Sequence, residues 1–225
     1  MTLYDRQVRL LAACLSSIAG YVDAIGFVSL GGFFVSFMSG NTTRIGVGLA
    51  NDWAAAGVAA SLVGLFVIGV MLGAVVGRLA KSHRRPMVLI FVAVLLGLAA
   101  VTAHFGATDF AVVGMVFAMG AVNAVFVEEG EVRIGVTYMT GTLVKLGKAL
   151  TTALLGGDRL GWLPHLLLWF GLLLGGLVGT IAYRHFGLDA LGGAAVAAAI
   201  CAGVAVRLRP KPDPRNASVD RPPSR

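Results

Sequence analysis

The stretch VSFMSGNTTRIG at residues 35–46 returns in altered form as VTYMTGTLVKLG at residues 136–147. The two stretches agree at Val, Met and both Gly residues, and each carries one cation at the same place, Arg44 or Lys145. Each combines a flexible Gly with short hydroxyl side chains. A repeat at this separation predicts that the chain is built from two related halves.

The repeat extends outward from this stretch. GYVDA at residues 20–24 aligns with GAVNA at residues 120–124, and a glycine series at every fourth residue aligns with a second such series. The first series is Gly69, Gly73 and Gly77, and the second is Gly171, Gly175 and Gly179. We therefore divide the chain into a first repeat, 1–105, a second repeat, 106–207, and a tail, 208–225, whose prolines and alternating charges predict disorder.

The composition indicates a membrane protein. Of the 225 residues, 57% are hydrophobic and 13% are charged, whereas a soluble domain carries about 25% charged residues. These values argue against a soluble enzyme, a secreted disulfide scaffold and a DNA-binding domain. The net charge of +7 comes from basic residues at the ends of apolar runs, which indicates contact with the lipid bilayer and no nucleic-acid partner. We predict an all-α integral membrane protein.

Apolar runs of the length that crosses a bilayer predict about six transmembrane helices. The runs are 10–30, 54–77, 86–108, 110–127, 160–183 and 190–206. The Gly-, Ser- and Thr-rich stretches 33–50 and 135–150 are better suited to broken or re-entrant backbone. With six spans and both termini in the cytoplasm, all Lys and Arg residues except Arg44 and Arg184 lie inside, as the positive-inside rule requires.

Two repeats of three spans each must insert with opposite orientation. Inverted repeats are the plan of many secondary transporters, whose sites lie near the bilayer midplane between discontinuous segments. The first hypothesis is therefore a secondary transporter of a small solute. A channel built from the same halves and a non-transporting membrane scaffold are the alternatives.

The repeat stretches supply the candidate substrate site. Each stretch is expected to open a half-helix whose N–H groups and dipole attract an anion, and the cations add full positive charge. The alternative is a tight contact between helices, with both cations reaching toward the lipid heads. The candidate residues are Ser39, Gly40, Asn41, Thr42, Arg44, Thr140, Gly141, Thr142 and Lys145.

Asp23 is the acidic residue that falls within an apolar span, and Asn123 is its counterpart in the second half. A lone carboxylate is costly to keep charged in a low dielectric, so Asp23 is a candidate for proton or cation coupling. A structural carboxyl, bonded to unwound backbone or paired with Arg44, is an equal alternative. Because Asn123 has no charge, coupling is expected in one half only.

The glycine series predict close helix packing within the chain, with a homodimer seam as the alternative. His104 and His165 have no acidic neighbours in sequence, so we expect no metal and no cofactor. Ser39-Gly40 lacks the Gly-x-Ser-Gly pattern of a nucleophile elbow because position 37 is Phe. We therefore expect no enzymatic activity.

The motifs around Asp23, Gly40-Asn41, Asn123 and Tyr138-Met139-Thr140-Gly141 resemble those of the YoaK-like bacterial membrane proteins. The resemblance covers roughly residues 10–205. It implies a multi-pass protein of the bacterial inner membrane, in a family whose function is unassigned, and it supplies topology rather than chemistry.

Overall fold

The computed structural model describes residues 6–128, 131–132 and 135–207. Within these ranges the chain forms eight α-helices. They are α1 (Arg6–Ser29), α2 (Met38–Asn51), α3 (Trp53–Leu79), α4 (Arg84–His104), α5 (Thr108–Ala121), α6 (Met139–Leu154), α7 (Leu163–Phe186) and α8 (Leu191–Arg207). Short 3-10 turns cover Lys81–His83, Val122–Ala124 and Gly187–Ala190. The tail 208–225 and Arg133 lie outside the described residues.

The prediction of a helical membrane protein is confirmed, with one small addition. Two strands of two residues, β1 (Val127–Glu128) and β2 (Glu131–Val132), pair antiparallel after α5. The sequence carries no alternating pattern that would predict this hairpin, since an acidic loop of this length gives no period to detect.

Among the described residues, four stretches are long and apolar enough to cross a membrane. They are Gln7–Ser29, Trp53–Leu79, Lys81–His104 and Leu163–Arg207, and the last of these contains both α7 and α8. A further apolar helical stretch, Thr108–Ala124, is shorter. At 1.5 Å per residue, α1 is about 36 Å long, enough for a hydrocarbon core of about 30 Å.

The repeat stretches do not form continuous spans. Residues 30–37 are non-helical, and α2 then begins at Met38 and runs for 14 residues. Likewise, α6 begins at Met139 and runs for 16 residues. Helices of these lengths reach about 21 Å and 24 Å, less than the hydrocarbon core. The expectation that each stretch opens a half-helix agrees with these boundaries.

Large apolar side chains cover the outside of the long helices. Met71 on α3, Leu177 on α7 and Ile200 on α8 are each more than half exposed. The buried core between helices holds Leu15 and Met115 together with many Ala residues. Apolar exposure on this scale suits hydrocarbon as the surrounding medium.

Both glycine series lie inside the chain, where α1 packs on α7 and α3 packs on α5, and Gly77 faces Arg84 at the start of α4. A Cβ at Gly73 would lie 2.7 Å from the Cα of Ala121 on α5, and a Cβ at Gly175 would overlap the carbonyl oxygen of Ser17 on α1. Glycine is therefore required where these backbones approach. The prediction of close packing within the chain is confirmed, and a homodimer would need a different surface.

Helices α4 and α8 complete the bundle. They pack on each other, and α4 also packs on α5, while α8 packs on α1. The short helices lie at the edges, with α2 against α3 and α6 against α7. The tight turn between α2 and α3 is set by Asp52, whose carboxylate accepts the N–H groups of Ala54 and Ala55 and so caps α3.

Candidate functional site

The carboxylate of Asp23 holds the non-helical segment that precedes α2. Its Oδ1 accepts the N–H groups of Val35 at 2.9 Å and Ser36 at 2.8 Å, and both of these residues are buried. Asp23 lies about 9 Å before the end of α1. The segment therefore folds back along α1 before α2 begins. This is one of the two structural roles expected of the carboxyl, a bond to unwound backbone.

Asn41 fastens the same segment to the first turn of α2. Its Oδ1 accepts the N–H of Phe34 at 3.1 Å, and its Nδ2 donates to the carbonyl of Phe34 at 2.7 Å. The side chain is fully buried. Because both ends of the amide are satisfied, the contacts of Asn41 are those of a structural clamp.

Arg44 lies beside the same segment and not beside Asp23. Its guanidinium carbon lies 4.7 Å from the centre of the Phe33 ring, a cation–π contact. Among the described residues, no ion pair joins Arg44 to Asp23. The pairing alternative is therefore not what the structure shows. Because Arg44 contacts Phe33 and Asn41 contacts Phe34, the start of α2 runs antiparallel to the non-helical segment.

The residues before α2 and α6 share one backbone geometry. Phe37 has φ −90° and ψ 75°, Tyr138 has φ −90° and ψ 71°, and neither helix receives a side-chain cap. A Cβ at Gly40 would overlap the ring of Phe37, and one at Gly141 would overlap the ring of Tyr138. The motif glycines therefore make room for an aromatic ring over the first helical turn. Phe37 and Tyr138 lie within the repeat stretches, but the sequence did not indicate that their rings cover the helix starts.

Asn123 holds the second segment through a neutral contact. Its Oδ1 accepts the hydroxyl of Thr137 at 3.0 Å, and its Nδ2 donates to the carbonyl of Met119 at 3.0 Å. Thr137 and Ser36 are equivalent in the repeat, so Asn123 and Asp23 hold equivalent points. The partner is a backbone amide in the first half and a hydroxyl in the second.

Among the hydroxyl groups of the candidate site residues, two make hydrogen bonds to the backbone and two do not. Thr42 donates to the carbonyl of Met38 at 2.9 Å within α2, and Thr142 donates to the carbonyl of Tyr138, the residue before α6, at 3.1 Å. Ser39 and Thr140, at the start of α2 and α6, are exposed, and their hydroxyls make no hydrogen bond within the described ranges.

The structure gathers the candidate residues of each half around its own helix start. No hydrogen bond or ring contact in the described chain joins α2 to α6, and Lys145 is exposed on α6. A substrate site shared between the halves therefore stays a prediction.

Ser16 is a buried polar residue that sequence reasoning missed. Its hydroxyl lies 2.8 Å from the carbonyl of Leu168 on α7 and 3.4 Å from the carbonyl of Val136, in the segment before α6. It is fully buried on α1. Ser16 thus connects the first half to the second segment. A hydroxyl inside an apolar helix was the available signal.

His104 has an acidic neighbour that the sequence did not suggest. Its Nδ1 lies 3.3 Å from Oδ2 of Asp189, in the turn between α7 and α8. Both side chains are largely exposed. One His with one Asp falls short of a metal site, and no group of three or more ligating residues occurs in the described part of the chain.

Comparisons with known proteins support the assignment to a membrane protein family. Residues 11–206 match the family described as "Protein of unknown function (DUF1275)". The chain is 36% identical over 198 residues to a UPF0700 transmembrane protein of Rhizobium meliloti (strain 1021), covering 88% of this chain and 86% of that protein. No solved structure matches the chain. The match confirms the suspected membership of an uncharacterised membrane family: the chain belongs to the DUF1275 family of membrane proteins.

Proposed function

We propose that this protein is a secondary transporter of a small anionic solute, built from two inverted repeats of three spans. The first repeat comprises α1, α3 and α4, and the second comprises α5, α7 and α8. In the repeat, α1 corresponds to α5 and α3 corresponds to α7. The contact between α1 and α7 is matched by the contact between α5 and α3, as a pseudo-two-fold relation requires. The shared geometry of Phe37 and Tyr138 supports the same relation. Such repeats place substrate between discontinuous helices.

The two short helices enter from opposite faces in this arrangement. The charge distribution supports an arrangement with both termini in the cytoplasm of a bacterium, α2 toward the outer face and α6 toward the cytoplasmic face of the inner membrane. Alternating access would then expose the start of α2 to one side and the start of α6 to the other.

An anion is the substrate class that the two helix starts favour. Both α2 and α6 begin without a side-chain cap, and Ser39 and Thr140 are exposed there. N–H groups and hydroxyls at a helix N-terminus bind negative charge. Arg44 and Lys145 each follow about one turn later and add a full positive charge.

The hydrogen bonds that Asp23 accepts from the N–H groups of Val35 and Ser36 are the observation that supports proton coupling. No cation in the described chain forms an ion pair with this carboxylate. Proton binding to Asp23 weakens its acceptance of the two N–H groups and removes a negative charge close to the start of α2. Both effects favour release of residues 30–37 and entry of an anion. Asn123 has no corresponding protonation step, so coupling belongs to the first half.

Uptake into proteoliposomes tests the proposal. The panel holds labelled sulfate, phosphate, lactate and glutamate, with an inward proton gradient. We expect saturable uptake of one class, and at least a tenfold loss of gradient-driven uptake in Asp23→Asn with exchange of the same anion retained. Arg44→Ala and Lys145→Ala are expected to raise KM, while Lys81→Ala serves as a control that removes an exposed cation elsewhere.

Other results would contradict specific parts of the proposal. Flux that does not saturate and ignores Asp23→Asn indicates a channel. Full activity in the Arg44→Ala/Lys145→Ala double variant removes the anion site. Absence of flux and of ligand-induced thermal stabilisation for every anion of the panel favours a scaffold.

A further inference from the structure

Helix α6 carries an apolar face that the rest of the described chain leaves exposed. Its buried and half-buried side holds Thr142, Leu146 and Ala149. A second apolar stripe beside it, formed by Leu143, Leu150 and Leu154, is 43%, 40% and 87% exposed. These residues lie at i, i+7 and i+11 and so share one side of the helix.

The opposite side of α6 is cationic. Lys145 and Lys148 are exposed, one turn apart, and point away from the leucine stripe by the helical periodicity. The sequence of α6 contains no Asp or Glu. Neither lysine makes an ion pair or hydrogen bond in the described chain. An exposed apolar stripe opposite uncompensated lysines is the pattern of a helix that lies in a membrane interface.

The residues after α6 continue this pattern. Leu155 and Leu160 are 82% and 65% exposed, and Trp162 donates its indole N–H to the carbonyl of Arg159 at 2.8 Å. Tryptophan and arginine next to apolar residues are typical of the lipid headgroup region. Asp158 is the acidic residue of this linker, and its Oδ1 accepts the N–H of Leu160.

Helix α2 lacks this combination, although it is the equivalent helix. Its one cation, Arg44, is half-buried against the Phe33 ring. Gly48 brings α2 against Ala56 of α3, where an added Cβ would lie 2.7 Å from the Ala56 nitrogen. The free lysine pair is therefore a property of the second half.

We propose that α6 is an interfacial helix whose Lys145 and Lys148 bind the phosphate of an anionic phospholipid headgroup. The leucine stripe inserts among the upper acyl chains and holds the lysines at the headgroup level. A lipid satisfies both faces of the helix at once, whereas a free phosphate satisfies the lysines alone and a protein partner has no defined counterpart on this surface. The proposal goes beyond the transport function and competes with the solute site for Lys145, whereas Lys148 belongs to the headgroup site alone.

Lipid-dependent stabilisation of the full purified chain in detergent tests the lysines. The probes are phosphatidylglycerol, phosphatidylcholine and soluble glycerol phosphate. We expect phosphatidylglycerol to raise the unfolding temperature by several degrees more than phosphatidylcholine, and glycerol phosphate to leave it unchanged. The double variant Lys145→Gln/Lys148→Gln should lose this preference. The matched variant Lys81→Gln/Arg207→Gln, which removes two exposed cations elsewhere, should keep it.

Fluorescent probes test the leucine stripe in lipid vesicles. With Cys14→Ser and Cys201→Ala as background, a probe at Leu150→Cys should be quenched by nitroxide lipids, and a probe at Thr152→Cys by aqueous iodide. Equal quenching of the two probes by iodide, or equal protection of both, contradicts an interfacial helix. Loss of the phosphatidylglycerol preference in the Lys81→Gln/Arg207→Gln variant, or no preference in the parent, also contradicts the proposal. Lys148→Gln alone should leave solute uptake unchanged, which separates this proposal from the transport function.

Discussion

Asp23 and Asn123 occupy equivalent positions of the repeat and hold equivalent backbone segments through different bonds. In the first half, a carboxylate accepts two backbone N–H groups, and Asn41 clamps Phe34 on both sides. In the second half, an amide accepts one hydroxyl, Thr142 donates to the carbonyl of Tyr138 just before α6, and Ser16 of α1 contacts the Val136 carbonyl at 3.4 Å. The first segment is therefore held more firmly and by a group that can bind a proton.

The two halves share their helix packing and differ in the polar contacts of their non-helical segments. The glycine contacts between α1 and α7 and between α3 and α5 are similar in both halves, as are the backbone angles before α2 and α6. The polar residues that hold the segments have diverged. The repeat thus preserves helix packing, while charge and hydrogen bonding distinguish the two segments.

The largest expected effect concerns the shared scaffold. Gly73→Leu and Gly175→Leu should both destabilise the fold by more than about 3 kcal/mol and reduce folded yield, because the backbones that they contact cannot move apart easily. Gly64→Leu is the control, since nothing lies within 4 Å of a Cβ at that position on α3. Thermal unfolding of purified protein measures the effect. Normal stability in one of the two test variants would contradict equal packing in the halves.

A smaller loss of stability is expected from removing the side chains of Asn41 and Thr142, which are equivalent in the repeat. Asn41→Ala should cost about 2 kcal/mol, since it leaves the N–H and carbonyl of Phe34 without their partner. Thr142→Ala should cost less than about 1 kcal/mol, because the Tyr138 carbonyl still accepts the Thr142 N–H. Unfolding temperatures of the two variants give the comparison. Equal losses would show that the first segment is not the more firmly held.

The smallest effect is expected at the tether of the second segment. Thr137→Val removes the hydroxyl that Asn123 accepts while keeping the side-chain shape, and should cost about 1 kcal/mol. Thr43→Val, at an exposed hydroxyl bonded to the Ser39 carbonyl of its own helix, is the control and should change stability by less than half as much. A loss no greater than that of the control would mean that the Thr137 bond contributes nothing.

Apolar run length and repeated small residues predicted long apolar helices, broken backbone within 33–50 and 135–150 and close packing at the glycines. These features depend on local sequence, since apolar length and repeated small residues set where helices form and approach. The partners of Asp23, Ser16 and His104 could not be predicted in the same way. Ser16 meets Val136 and Leu168, and His104 meets Asp189, only after helices distant in sequence have packed.

The lysine side of α6 illustrates a further limit. Arg44 and Lys145 align in the repeat, and their shared role in a substrate site stays a prediction. The structure distinguishes them, since Arg44 packs on Phe33 while Lys145 is exposed next to Lys148. Equivalent positions in a repeat predict equivalent backbone more reliably than equivalent contacts.

Cysteine accessibility at the ends of the two short helices tests the inverted arrangement most directly. With Cys14→Ser and Cys201→Ala as background, single cysteines are placed at Asn51, after α2, and at Leu155, after α6. A membrane-impermeant maleimide is applied to intact cells and to inside-out vesicles. Opposite orientation of the halves predicts that Asn51→Cys reacts only in cells and Leu155→Cys only in inside-out vesicles. Reaction of both cysteines from the same face would contradict the inverted repeat and the transport mechanism that rests on it.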